Sequence, residues 1–421
     1  MENYGRRAYA LLEKLNYVRV AGTDAEHRAA AELSEALKNM GIAAARESFE
    51  IDAYEIKTAL LKVVAPFEAE YTVTGYGLSG DTGPDGIRAP FLYAEDGNDI
   101  TLAEAKGKIV LLNGHVTPDQ YKKTVEAGAV GFIALSGSPV DEYEKTDLEQ
   151  RALRRDRHLK NGEIPKIPGV TIRARDALEM LKREPEEVVL TLAQDETKAV
   201  SHNVIAEIQG AEHGDEWITF GAHYDSVPFS PGMYDNASGS AIIMEACRFF
   251  SENRPRRSLR FIWFAAEEKG LLGSRYHVAN NPDEIKSTRL MINVDLAGHV
   301  IGSHFARVSA EECVCGIVRF LAQEAGFGMT VQQDIFSSDS EPYADAGVPA
   351  ISFYRGGTVG HSRYDVIDLV SPRSLDRTIR FLIHFSGKII NSVVFPVPST
   401  IPDKIKEKLD VYFGRKAGGE K

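Results

Sequence analysis

Six side chains carry the chemistry that this sequence can do: His223, Asp235, Glu268, Asp295 and His361, with Glu267 beside them. Two imidazoles and three carboxylates are the ligand set that two zinc ions sharing one bridging carboxylate need. Glu267 stands where a general base belongs. Four of the stretches that lead to these residues, EWITFGAH, LRFIWFAAEE, RLMINVD and PAISFYRGGTVGH, run apolar and then break into His, Asp or Glu. Ordinary loop caps would mix in Ser, Asn, Lys and Arg. Runs of this texture suit strands covered on both faces by helices, and open parallel sheets bind ligands beyond the carboxyl ends of such strands.

Each piece also has a plainer reading. In GAHYDS, His223 and Asp225 are two apart, so on an extended strand end both turn to one side and Asp225 can hold the imidazole; alone, this is a polar strand exit. In GMYDNASGSA, Asp235 is the bridge candidate, because one carboxylate has two oxygens for two cations. The same D-N-A-S-G is a good helix cap, with Asn236 or Ser238 available. In FIWFAAEEKG, the adjacent Glu267 and Glu268 are costly to bury unless cations or protons neutralise them; otherwise they begin a helix. Asp295 follows MINV, with His299 ambiguous, and His361 lies in a glycine-rich loop. His27, His115, His158, His213 and His384 sit in surface or helical contexts, and His277 within a helix.

The elements that position these residues alternate. The chain opens helix, loop, helix, where Thr23 and Glu26 have capping-box spacing and Gly41 stops the second helix. ARESFEI reads as a strand, and from about residue 55 the texture becomes short β-type runs broken by Gly, Pro and Asp. GKIVLLNG, DQYKKTVEAGAVGFIALSG and IPGVTIRARDALEMLKR then give strand, helix, strand, and a strand leading into a helix. This segment resembles the protease-associated domain, and the basic RALRRDRHLKNG within it reads as a solvated loop. From SHNVIAEIQG onward, strands alternate with helix candidates at ASGSAIIMEACRFFSEN, GLLGSRYHVANN, AEECVCGIVRFLAQEAGF and SLDRTIRFLIHFSGKIINSVV, which means βαβ units. The expected architecture is α/β: a mixed, mostly parallel central sheet flanked by helices, split by a β-rich insertion. Its parts are residues 1–54 and 195–395 for the catalytic domain, 55–194 for the insertion, and 396–421 for a short helix and frayed basic tail.

Composition narrows the partners. The 421 residues, 43% hydrophobic and 9% aromatic, describe an ordinary soluble protein, and 49 basic against 61 acidic residues give −12. That balance argues against nucleic acid or an anionic membrane as partner. The opening MENYGRRAYALLEKLNYVRV has no unbroken apolar stretch, so neither a secretory signal nor a membrane anchor is expected. Cys247, Cys313 and Cys315 are an odd number with a C-x-C pair too close to bridge easily. A cytoplasmic location is the expectation, with Cys247 and Cys313 as small core thiols.

In order, GAHYDS, PGMYDNASG, FAAEE, INVDLAG and GHSRYDVIDLV resemble the di-zinc aminopeptidases of metallopeptidase family twenty-eight, over residues 1 to about 50 and about 195 to 395. The resemblance implies two zinc ions: one held by His223 and Asp295, the other by Glu268 and His361, with Asp235 bridging and Glu267 as base. It also implies a cis peptide between Asp235 and Asn236, and peptide substrates with a free amino terminus. Many members have Ser-Asp-His where this chain reads Ser338-Asp339-Ser340, which puts substrate contacts near Asp339 and Tyr343 in question. Rival readings are a glutaminyl-cyclase-like acyl transferase with one zinc, a carboxypeptidase or dipeptidase, and a receptor-like protein without catalysis. Tyr224, Tyr234, Tyr343, Tyr354 and Arg355 lie near the motifs, where each could shape a pocket or equally pack or cap. The preferred amino-terminal residue and the oligomeric state stay open.

Overall fold

The apolar runs that break into ligand-type residues form adjacent strands of one sheet. The computed structural model describes residues 3–140 and 148–416. The chain divides into two compact units, one made of residues 1–51 and 200–421 and the other of residues 52–199.

In the first unit the sheet runs Met329–Gln332, His304–Ser309, Ala350–Arg355, Thr288–Val294, His213–His223, Arg257–Phe264, and then the last part of Glu187–Ile208. The four strands from Ala350–Arg355 to Arg257–Phe264 are mutually parallel. Antiparallel pairs flank them on both sides. Every residue of Arg257–Phe264 is buried, as a strand covered on both faces requires.

Helices supply the cover. Tyr4–Leu15, Ser238–Glu252 and Pro372–Ile390 pack on one another, and Phe327, Phe353, Phe381 and Phe385 form a cluster of stacked and edge-on aromatic rings between sheet and helix. The helix Pro372–Ile390 starts from a Ser371 cap with Pro at its first turn, where the missing N–H costs nothing. The helix Asp403–Tyr412 buries Ile405 and Leu409 in the same core as Ile262, Phe264 and Met291. The expected tail is thus partly structural up to residue 416; its last residues, 417–421, lie outside the described residues.

Three local expectations change. Thr23 caps the helix Asp24–Lys38 by accepting the Glu26 N–H at 3.4 Å. The Glu26 carboxylate does not complete a capping box. It is fully buried and takes the Gly22 N–H, the Ser201 hydroxyl and the Tyr224 hydroxyl instead. The strand expected to end near residue 51 continues unbroken over Ala44–Ala65. Cys313 is exposed, and it is Cys315, with Cys247, that is buried.

Among the described residues the second unit is strand-dominated, with two helices longer than one turn, Pro118–Glu126 and Ala174–Lys182. Its parallel strands Ile87–Tyr93, Ile109–Leu112, Gly131–Ser136 and Gly169–Arg173 enclose a core of Ile109, Leu111, Ile133, Val170 and Ile172. The basic stretch is not wholly solvated: Leu153, His158 and Leu159 are buried. The His158 ring is pinned between the Arg154 N–H and the Val116 carbonyl, at 3.0 Å each. Among the described residues no helix is long and apolar enough to cross a membrane.

Candidate metal centre

The four parallel strands deliver their side chains to one edge. His223 ends its strand, and Asp295 follows Val294 directly. Glu267 and Glu268 come just after Phe264, and His361 lies in the loop after Arg355. The pair of glutamates does not begin a helix. They sit in a turn ahead of Leu272–Asn280, entered through Ala266 at φ 55. Leu296 at φ 50 and His361 at φ 55 also hold the left-handed conformation. Such backbone is uncommon for non-glycine residues and clusters at sites of function.

Asp235 arrives from a turn that feeds the helix Ser238–Glu252, and its peptide bond to Asn236 is cis. Asn236 caps that helix: its Oδ1 accepts the Gly239 N–H at 3.0 Å, while its Nδ2 donates to the Val294 carbonyl at 2.9 Å. Gly239 is required there, because a Cβ would lie 2.3 Å from both Asn236 Oδ1 and the Val294 carbonyl oxygen. The cap therefore ties Asp235 to the end of the strand that presents Asp295.

Two groups of ligand atoms result. His223, Asp235 and Asp295 form one, and Asp235, Glu268 and His361 the other, with the atoms of each within 4.8 Å of one another. Asp235 belongs to both through different oxygens. Its Oδ1 is 3.2 Å from His223 Nε2, and its Oδ2 is 3.3 Å from His361 Nε2. Asp295 Oδ1 lies 3.4 Å from His223 Nε2, and Glu268 Oε2 lies 2.8 Å from His361 Nε2. The side chains of His223, Asp235, Glu268 and Asp295 are buried, whereas that of His361 is 49% exposed.

The donor set fits divalent cations. Among the described residues, His223 Nε2, Asp295 Oδ1 and Glu268 Oε1 are buried without a hydrogen-bond partner, a costly condition for polar atoms that cation coordination relieves. The charge balance agrees. His223 is raised well above the ordinary histidine value: burial opposes this, and the carboxylates of Asp295 and Glu267, with Asp225 and Asp235, outweigh it. Burial and then the Asp235 charge push Glu268 up to about 7. Glu267 is pushed well above the carboxylate range by burial first and then by Glu268, Asp339 and Asp295, with His223 acting against them. Without cations, protons must neutralise this cluster.

Asp225 does more than face the imidazole. Its Oδ1 is 3.5 Å from His223 Nδ1, and its two oxygens accept the backbone N–H groups of Glu267 and Glu268 at 3.1 and 3.3 Å. One carboxylate thus fixes a ring on one strand and the glutamate turn on the next.

Other residues that hold the site escaped sequence reasoning. Asp365 accepts the N–H groups of Tyr234 and Asp235 at 2.6 and 2.9 Å. Ser338 donates to Asp295 Oδ2 at 2.7 Å and itself receives Asn293 Nδ2 at 2.9 Å. Arg19, fully buried, donates to the carbonyls of Leu15, Tyr17, Tyr224 and Gly232 at 2.6 to 3.0 Å, and to that of Pro231. The sequence signals were Asp365 within GHSRYDVIDLV, Ser338 within Ser338-Asp339-Ser340 and Arg19 four residues ahead of Thr23.

Of the residues near the motifs, three pack in the interior. Tyr224, Asp339 and Tyr343 are fully buried. The Tyr224 hydroxyl bonds Glu26 and the His202 carbonyl, and Asp339 receives the Ser274 hydroxyl at 2.6 Å. Ser340 turns to the Ser352 hydroxyl at 2.7 Å, so this position serves the interior. His299 remains outside both groups of ligand atoms.

Comparison with known proteins gives the same picture. The pattern of Peptidase family M28 matches residues 203–386. Aminopeptidase YwaD of Bacillus subtilis (strain 168) is 26% identical over 440 aligned residues, covering 97% of this chain and 89% of that protein. Carboxypeptidase Q of Rattus norvegicus is 27% identical, covering 75% of this chain and 70% of the other. The structure of a zinc aminopeptidase from Bacillus subtilis superposes with a TM-score of 0.78 at 25% identity, covering 96% of this chain and 98% of that one. Fold and site together define a metallopeptidase, a hydrolase of peptide bonds. The similarity to peptidase family M28 lies in residues 203–386, the stretch that contains all six candidate residues.

Proposed function

We propose that this metallopeptidase is an aminopeptidase that works with two zinc ions sharing Asp235. The observation that carries the reading is the split of one carboxylate, Oδ1 toward His223 and Oδ2 toward His361. His223 and Asp295 would complete one site, and Glu268 and His361 the other. When bound, such a pair supplies Lewis acidity and makes a water acidic enough to lose its proton near neutral pH.

The rest of the work falls to this chain's own groups. Glu267 accepts the proton of the attacking water and returns it to the leaving amine. Asp225 orients His223 and holds the turn that carries Glu267. Asp365 and Asn236 fix the backbone on either side of Asp235. We read residues 55–194 as a protease-associated-type module inserted in the catalytic domain.

Similarity to aminopeptidase YwaD along nearly the whole chain supports removal of amino-terminal residues. Similarity to carboxypeptidase Q keeps a second reading, cleavage at or near the carboxyl terminus. The deciding test is a panel of aminoacyl chromogenic substrates and dipeptides, each with and without a blocked amino terminus, assayed before and after zinc removal. Zinc-dependent turnover that needs the free amine supports the proposal. Turnover that survives the amine block and needs a free carboxylate transfers the assignment to the second reading.

A further inference from the structure

Away from the carboxylate cluster, the register of three strands places His304, Arg355 and Met329 side by side: His304 pairs with Arg355 on one flank and with Met329 on the other. They line a recess of about 350 Å³ with Gly302, Ser303, Thr330 and, from the helix Pro372–Ile390, Arg377. Two guanidiniums therefore share one recess. Among the described residues neither has a carboxylate within ion-pair distance, although this chain carries 61 acidic residues.

The charges in the recess repel one another. Burial, and then Arg377, lower Arg355 below its ordinary value. Burial, Arg355 and Arg377 together push His304 down to about 4, so the imidazole is neutral at physiological pH. The Arg355 and Arg377 guanidiniums therefore repel each other across the recess, and no carboxylate among the described residues lines it. The Nε of Arg355 is also buried without a hydrogen-bond partner among the described residues. Phe327 backs the recess, its ring 4.2 Å from that of His304 and 5.3 Å below the Arg377 guanidinium.

We propose that this recess binds a phosphate group, held between Arg355 and Arg377, with Ser303 and Thr330 in its lining. Guanidinium forks match the oxygens of a tetrahedral dianion in pairs. The recess is larger than a bare phosphate needs, so free phosphate and a small phosphate monoester share the same recognition chemistry. Arg355 also opens the segment leading to His361, and its carbonyl accepts the Tyr234 hydroxyl next to Asp235. Occupancy thus reaches the backbone that carries two candidate ligands.

Calorimetric titration of the zinc-loaded full chain, at ionic strength fixed with chloride, tests the site. The probes are inorganic phosphate and phenyl phosphate, each against wild type, Arg377→Gln and Arg355→Gln. Arg377 is exposed, so its replacement leaves the fold intact. Saturable binding in wild type that weakens about tenfold or more in Arg377→Gln supports the proposal. Whichever probe binds more tightly names the source of the phosphate group. Absence of saturable binding by either probe overturns the site. Binding that is undiminished in Arg377→Gln overturns it equally, because the phosphate then sits at the metal centre.

Discussion

Asp365 grips Asp235 by the backbone: its Oδ2 accepts the Asp235 N–H at 2.9 Å while its Oδ1 takes the neighbouring Tyr234 N–H at 2.6 Å. Burial and the Asp235 charge push this carboxyl up to about 6, against the pull of the two N–H groups. The two N–H groups offset part of the cost of burying a carboxyl there and fix the backbone of Asp235.

Asp365→Ala leaves two buried N–H groups without an acceptor. The expected loss is roughly 1–3 kcal/mol of stability for each group left unsatisfied, together with roughly ten- to a hundredfold weaker metal retention. Thermal melts and zinc competition with a chelator measure both. Unchanged chelator resistance would show that Asp235 keeps its place without Asp365.

Glu267→Gln should keep its metal and lose turnover by roughly a hundred- to ten-thousandfold, since an amide cannot take the proton. Metal content and kcat measured on one preparation separate the two effects. Equal loss of both would make Glu267 a ligand rather than a base.

What made the site legible was placement: His223, Asp295 and the Glu267–Glu268 pair each stand at the abrupt end of an apolar run. The order of these fragments supplied the rest. Asp365 and Arg19 were illegible because they act on backbone groups 130 and more than 200 residues away. No local pattern encodes such partners. The glutamates were legible as a pair but not as a turn, since the positive φ of Ala266 belongs to a residue type that ordinarily continues a helix. Glu26 had the spacing of a capping box, and tertiary partners drew its carboxylate elsewhere.

Protons are expected to compete with metal for Glu268. With the carboxyl at about 7 in the cation-free cluster, it is mostly protonated below that value and must lose the proton to coordinate. Metal loading should therefore fall steeply as pH drops from about 7 toward 5. Equilibrium dialysis against zinc across that range checks the sign; flat loading would contradict it.

Glu341 gives a separate pH signature in the interior. Burial pushes its carboxyl up to about 8, although the Phe336 N–H and the Ser340 and Ser309 hydroxyls pull it down. The folded chain thus holds a proton that the unfolded chain releases near the ordinary glutamate value. Its stabilising effect is full below about 4.5 and is lost as pH rises through about 8. Glu341→Gln should flatten that decline in the melting temperature between pH 5 and 8.5. A wild-type curve that rises over this interval in step with the variant would remove Glu341 from the account.

The sharing of Asp235 is measured most directly by counting zinc. Wild type and Asp235→Asn are dialysed against buffered zinc and assayed for metal per folded chain. Two ions are expected in wild type, with a clear loss of occupancy at both positions in Asp235→Asn. One ion in wild type, or two retained by the folded variant, would contradict that sharing.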